Sequence, residues 1–237
     1  MSDKKLTLTI VIPVYNEQNH LAACLDAIAA QTVAADEVIV VDNNSTDKTA
    51  EIASRYKFVK LIKEPRQGVV YARSRGFDEA KSELIGRIDG DTILPPSWVS
   101  AAKAMYEKAG TPSLYALTAP SKFRNSFHYL WYVMHRVTYF WPSYLLLGHN
   151  TFVGSNMLIS RKLWQKIRTE VCLRTDIHED MDLAFHAAHA GAQVRFSPEL
   201  KASVLARKMV SRTFSYPKMM FKIRSTDHRS TLGLSSR

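Results

Sequence analysis

Cysteine is scarce in this chain of 237 residues: Cys24 and Cys172 stand far apart and form no C-x-x-C. That argues against a disulfide framework or a zinc site and suggests a reducing compartment. Met1-Ser2-Asp3-Lys4-Lys5 leads straight into a strand pattern with no apolar signal core before it, so the expected location is the cytoplasm. Glycine fingerprints are missing as well. The lack of G-x-G-x-x-G disfavours a dinucleotide-binding dehydrogenase, and the lack of G-x-x-x-x-G-K-[ST] disfavours a P-loop NTPase. Asp42 could mimic the ribose-binding acid of a dinucleotide fold, but the place of the glycine loop reads Pro13-Val14-Tyr15-Asn16-Glu17. No G-x-S-x-G elbow is present. Nucleic acid is not an expected partner, because no helix-turn-helix, zinc-finger or RRM signature occurs. Nor does any internal repeat, low-complexity segment or Gly/Pro/Ser linker divide the chain.

What is present reads as one globular domain. Hydrophobic residues make up 46% and charged residues 23%, the range of packed rather than disordered chains. The net charge of +10 is uneven. From Lys201 to Arg237 nine Lys/Arg face one acid, Asp227, so this stretch carries +8 and the first 200 residues only +2. Such a tail suits anionic partners such as phosphate groups or acidic lipid surfaces, or is simply solvated. The expected division is a catalytic-type domain over 1–205 and a basic extension over 206–237.

Apolar periodicity predicts alternating strands and helices in the first half. Strands are expected over Leu6–Val14, Glu37–Val41, Phe58–Ile62, Leu84–Ile88 and Leu114–Ala119. Helices are expected over Asn19–Ala30, Thr46–Tyr56, Val69–Ala80 and Pro96–Tyr106. Later come a strand at Asn156–Ser160, helices at Arg161–Arg168 and His178–Ala190 (with Gly191 as the residue after the second), and short strands at 194–196 and 202–205. The implied class is α/β, a mostly parallel central sheet flanked by helices. Between them, Phe127 to Leu147 holds eight aromatic residues with a helical apolar stripe at 127, 130, 131, 134 and 141. His128, His135, Arg136 and Pro142 interrupt it, which argues against a membrane span. Core packing and a membrane-interface or lipid-acceptor surface both remain open.

In sheets of this class ligands bind beyond the carboxyl ends of the strands. Polar residues gather there: Asn16 and Glu17 after the first strand, Asp42 after the second, Asp89-Gly90-Asp91 after the fourth. Residues i and i+2 of an extended segment point the same way, so two carboxylates can converge on one hard cation such as Mg²⁺ or Mn²⁺. His178-Glu179-Asp180-Met181-Asp182-Leu183 opens a helix, where acids suit the macrodipole and one carboxylate could serve as a general base. Asp180 and Asp182, two apart on a helix, do not share a face.

Taken together, Pro13-Val14-Tyr15-Asn16-Glu17, Val41-Asp42-Asn43-Asn44-Ser45-Thr46-Asp47, Asp89-Gly90-Asp91 and Glu179-Asp180-x-Asp182-Leu183 resemble the family 2 glycosyltransferases of GT-A fold. The resemblance covers about residues 6–205 and implies inverting transfer of a sugar from a nucleotide diphosphate sugar, with a divalent cation as cofactor. It implies that Pro13, Tyr15 and Glu17 line the nucleoside pocket and that Asp42 hydrogen-bonds the base, typically uracil. Asp89 would touch the ribose or metal side, Asp91 would hold the metal, and Asp180 would be the base. The Gly68 to Gly76 stretch resembles the segment packing against the nucleotide, with Arg73 near phosphate. Glu179, Asp182, Arg207 and Arg212 are expected on the acceptor or leaving-group side, with Lys208 beside them. Asn44, also expected among the nucleotide-binding residues, replaces the family's glycine in a small turn, and Asn best tolerates φ > 0 there. Ala72-Arg73-Ser74 replaces the common Ala-Arg-Asn. The missing Gln-x-x-Arg-Trp argues against a processive polymerase. Expected partners are a nucleotide diphosphate sugar, a glycan or lipid-linked acceptor, and peripherally the inner face of a membrane. The alternative is a non-catalytic nucleotide-sugar-binding or scaffold protein of the same fold.

Overall fold

A computed structural model describes residues 5–124, 133, 136–174 and 177–205. In chain order the elements are β1 (Leu8–Val14), α1 (Leu21–Ala29), β2 (Glu37–Asp42), α2 (Thr49–Ser54), β3 (Val59–Lys63), α3 (Val69–Glu79) and β4 (Leu84–Arg87). Next come α4 (Trp98–Lys108), β5 (Tyr115–Thr118), β6 (Ser121–Phe123), and a π-helical turn (Arg136–Phe140) running into α5 (Trp141–Leu147). The chain continues through β7 (Met157–Ser160), α6 (Arg161–Ile167), α7 (Glu179–His189), β8 (Gln193–Phe196) and β9 (Ala202–Val204).

Seven strands form one sheet in the order β3-β2-β1-β4-β7-β5-β8. β1 pairs in parallel with β2 and with β4, so the chain winds outward to β3 and then returns to the other side of β1. The strand order therefore reverses between β1 and β4, and a crevice opens beyond their carboxyl ends. β7 runs antiparallel to both β4 and β5, which the strand pattern alone does not reveal. Ser121–Phe123, not anticipated as a strand, pairs with β9 in a small second sheet.

β1 is apolar but for Thr9, whose hydroxyl donates to Glu37, because both of its faces are covered. Ile10 and Ile12 join one core layer with Leu21, Leu25 and Trp98 from α1 and α4. Val11 joins the other, with Ile39, Val41, Phe77 and, farther along, Leu183 and Ala184 of α7. Helix α3 lies so close to the sheet that a Cβ at Gly76 would overlap the Val11 side chain. Helix α2 begins at Thr49, three residues later than expected, because Ser45, Thr46 and Asp47 are spent on the loop after β1. Gly191 takes φ 91 just past α7, as expected of a C′ residue.

Of the aromatic segment, residues 127, 130, 131 and 134 lie outside the described ones. The described part is split between the two readings. Tyr139 and Phe140 are buried with Cys172, Ile177 and Met181, whereas Trp141 is 62% exposed. Among the described residues no helix is long and apolar enough to cross a membrane. The basic extension from 206 lies outside the described residues.

Gly76→Ala tests the close approach of α3. Overpacking of this kind costs about 1–3 kcal/mol. Urea unfolding should show a lower midpoint at unchanged slope, and an unchanged midpoint would contradict the packing described.

Candidate active site

The crevice between the ends of β1 and β4 is a cleft of about 590 Å³. Its walls include Pro13, Tyr15 and Glu17 after β1, Asp89 and Asp91 after β4, and Glu179 and Asp180 from the start of α7. The loop after β1 is laced to the loop after β2. Asn16, at φ 54, donates its N–H to Ser45 Oγ at 3.0 Å, and its side-chain oxygen accepts from Thr46 N–H at 2.9 Å. Glu17 N–H donates to Thr49 Oγ1 at 2.7 Å. These bonds hold Tyr15, which is half exposed, on the cleft wall.

Asp42 ends β2 opposite Val14, nearly buried, with Oδ1 accepting from Ser45 N–H at 3.2 Å. Its neighbour Asn43, rather than Asp42 itself, lines the cleft. Asn43 is itself pinned: its amide donates to the carbonyls of Glu64 and Arg66, and its oxygen accepts from Gly68 N–H at 2.8 Å. Asn44 takes φ 62, as its replacement of glycine implies. Its amide points away to the Pro65 carbonyl and Gln67, so its work is to shape the turn.

Two expectations need correcting. Arg73 does not face the cleft. It is fully buried, and its Nη1 donates to the Glu179 carbonyl at 2.8 Å, which ties α3 to the start of α7. Burial pulls its pKa down, and Glu179 and Asp180 restore part of the loss. Asp182 is also turned from the cleft, as the helical angle from Asp180 dictates. Its carboxylate accepts from Cys172 N–H at 2.8 Å and faces His186 at 3.4 Å. Arg207, Lys208 and Arg212 lie outside the described residues.

The side chain that the motifs passed over is Arg87, the last residue of β4. Its guanidinium meets Asp180 Oδ1 at 2.5 Å, Asp89 Oδ1 at 3.0 Å and Glu179 Oε1 at 3.6 Å. Burial opposes its charge, but these three carboxylates outweigh that and raise its pKa. The second oxygen of Asp180 accepts from Gly154 N–H at 2.9 Å. Glu179 is held well below the usual carboxylate range. Burial alone would raise it, and His178, Arg87 and Arg73 overcome that.

Among the described residues the cleft wall carries five acids (Glu17, Asp89, Asp91, Glu179, Asp180) against one Lys/Arg, namely Arg87. Asp89 registers the excess. Although its side chain is 44% exposed, its pKa is pushed up to about 6. The low-polarity surroundings come first; Asp180, Asp91 and Glu179 add to it, and Arg87 offsets part. Crowded carboxylates of this kind fit a divalent cation. Among the described residues no three His, Cys, Asp or Glu side chains form a closed metal cage. Two strand-end carboxylates sharing a cation with phosphate oxygens need no such cage.

The model described as glycosyl transferase family 2 matches residues 9–168, and the chain belongs to that family. Glycosyltransferase AglE of Haloferax volcanii is 34% identical over 99 residues, covering 39% of this chain and 33% of AglE. The uncharacterized glycosyltransferase YibD of Escherichia coli is 31% identical over 111 residues, covering 45% of this chain and 30% of YibD. The match thus spans about a third of these curated relatives. Among solved structures, the mannosyltransferase PcManGT from Pyrobaculum calidifontis in complex with GDP-Man and Mn²⁺ aligns with TM-score 0.70 at 21% identity, covering 98% of this chain and 71% of that one. S. aureus TarS aligns with TM-score 0.67 at 15% identity, covering 96% of this chain and 42% of that one. The fold is GT-A.

The raised pKa of Asp89 gives a pH-dependent expectation. Between about pH 4, its unfolded value, and about pH 6 the folded state holds a proton that the unfolded state has lost. Stability is therefore lost as pH rises through that window and stays lower above it. The change in cation-free Tm caused by Asp89→Asn should be more favourable at pH 8 than at pH 3.5. An equal shift at both pH values would contradict the crowding.

Proposed function

We propose that this glycosyltransferase moves a sugar from a nucleotide diphosphate sugar, UDP-linked in the first instance, to a hydroxyl of a glycan or lipid-linked acceptor with inversion at C1. The observation that carries this reading is that one cleft holds the carboxylates after β4, the loop after β1 and the first turn of α7 together. Supporting it, PcManGT is a complex with GDP-Man and Mn²⁺, and a TarS complex holds UDP-GlcNAc. A glucosyl-3-phosphoglycerate synthase from Mycobacterium tuberculosis, of TM-score 0.62, is a complex with Mn²⁺, UDP and phosphoglyceric acid.

In this reading the donor's nucleoside rests against Pro13, Tyr15 and Glu17, with Asp42 at the back, and Tyr15 offers an exposed ring for stacking. Asp89 and Asp91 would hold the divalent cation. When bound, that cation neutralises charge growing on the departing diphosphate. Asp180 accepts the proton of the acceptor hydroxyl as its oxygen attacks C1 from the face opposite the leaving group. Both Asp180 oxygens already accept one bond each, but a carboxylate offers about four lone-pair sites, so the proton has a place to go. One base suffices because a single displacement forms no covalent intermediate. The transition state carries oxocarbenium character, which the negative cleft wall stabilises.

The acceptor side suits an amphiphile at an anionic lipid surface. Val133, Val137, Trp141, Tyr144 and Leu145 recur at helical spacing and are all exposed, Leu145 at 79%. The inner face of the same segment supplies Tyr139 to the cleft. Beside the stripe lies an apolar hollow of about 450 Å³, with Arg136 at its edge. No Asp or Glu occurs from Lys108 to Thr169.

Asp180→Asn should keep nucleoside diphosphate binding while nucleotide release from donor plus acceptor falls by about 10²–10⁴-fold. Unchanged turnover would remove Asp180 as the base. Asp91→Ala should weaken donor binding only when Mn²⁺ is present, read by thermal shift with and without EDTA. For the lipid surface, wild type should co-sediment with phosphatidylglycerol vesicles at low salt, and Leu145→Glu should release it with nucleotide affinity intact. Equal sedimentation of both proteins would argue against the stripe.

A further inference from the structure

Arg87 lies outside every motif that carries the family resemblance, yet it sits between the two halves of the cleft. β4 delivers it there. Its backbone pairs with Val11 of β1 on one side and Met157 of β7 on the other, at the switch point itself. The guanidinium is 4% exposed and grips carboxylates from two stretches of chain, Asp89 after β4 and Asp180 with Glu179 on α7. The Arg87–Asp180 pair spans 93 positions of sequence.

The surroundings are built for this placement. A Cβ at residue 154 would overlap the end of the guanidinium, so Gly154 keeps the space clear. The same glycine donates its N–H to the other Asp180 oxygen. Behind Glu179, Arg73 holds the first-turn backbone of α7 by its carbonyl. A buried cation is costly unless several partners compensate it. Here the partners are the groups assigned to base and cation binding. A planar fork can serve more than one carboxylate at fixed angles, which an ammonium cannot.

We propose that Arg87 is a positioning residue for sugar transfer. It rests on the reading of Asp180 as base and of Asp89 as a cation-side ligand. Arg87 fixes the distance between these two groups, so that the proton acceptor and the diphosphate end of the donor are held in one geometry. It also neutralises Asp89 before the divalent cation arrives, and therefore competes with that cation.

The competition gives a signature that a prop of the fold would not. Arg87→Met, Arg87→Lys and Gly154→Ala are compared with wild type in two assays. One is steady-state release of nucleoside diphosphate. The other is binding of Mn²⁺ alone, read from the electron paramagnetic resonance of the free ion without nucleotide. Arg87→Met should lower kcat by about 10²-fold, as a small misplacement of a reacting group does, with KM for the donor changed less than about threefold. Its Mn²⁺ affinity should rise, by roughly three- to tenfold, because an adjacent positive charge has been removed. Arg87→Lys should recover part of kcat and return the Mn²⁺ affinity toward wild type. Gly154→Ala, which displaces the guanidinium without deleting it, should also lower kcat.

A folded Arg87→Met enzyme with kcat within threefold of wild type would overturn the proposal. So would Mn²⁺ affinity that falls in step with kcat. If Arg87→Met does not fold, the other two variants decide by the same criteria: wild-type kcat in both overturns the proposal. If wild type turns over no nucleotide sugar, the proposed reaction fails. The Mn²⁺ comparison still stands then, and unchanged or weaker binding in Arg87→Met overturns the competition.

Discussion

The pairing of β1 with β2 on one side and β4 on the other is the constraint on which everything else depends. Two parallel neighbours force the chain to leave the sheet in opposite directions beyond the same edge. The loops that follow β1 and β4 therefore diverge and leave a crevice. Apolar residues on both faces of β1 enforce the pairing, since either face would otherwise meet water. The close seat of α3, with Gly76 against Val11, sets how near the helical layer comes. It also puts Arg73 within reach of the carbonyl of Glu179.

Into that crevice the fold delivers more acid than it neutralises. The excess is visible in the opposite behaviour of two neighbours. Asp89, in low-polarity surroundings and near other carboxylates, is pushed up to about 6. Glu179, close to two arginines and His178, is held low. Neighbouring carboxyls pushed in opposite directions can take different chemical roles without importing a different residue type. Arg87 stands between the two regions and touches both.

Much of this was legible in the sequence. The alternation of strands and helices, the acids at strand ends and Asp180 at a helix start all fall where the residue pattern put them. Asn44 occupies the left-handed turn that its replacement of glycine implied. What escaped depends on contacts between distant positions. Arg87 sits inside Leu84-Ile85-Gly86-Arg87-Ile88 and read as part of an apolar strand; its partners lie as far as 93 positions away. Gly154 was silent because a missing side chain has no periodicity. The direction of β7 and the pairing of Ser121–Phe123 with β9 are set by tertiary packing of short strands. Arg73 and Asp182 were assigned by motif position, and packing turned both into the interior. The lesson is local: strand ends show which residues reach the rim, but not which of them face one another.

The central claim is that the carboxylates after β4 and the first turn of α7 act on one bound donor. It is tested most directly by a crystal structure with a nucleoside diphosphate and Mn²⁺, with the ion located by its anomalous signal. The ion is expected at Asp89-Gly90-Asp91, with the nucleoside against Tyr15 and the Asp180 carboxylate facing the space for the sugar. An ion bound away from Asp89 and Asp91, or a nucleotide whose diphosphate points away from Asp180, would contradict it.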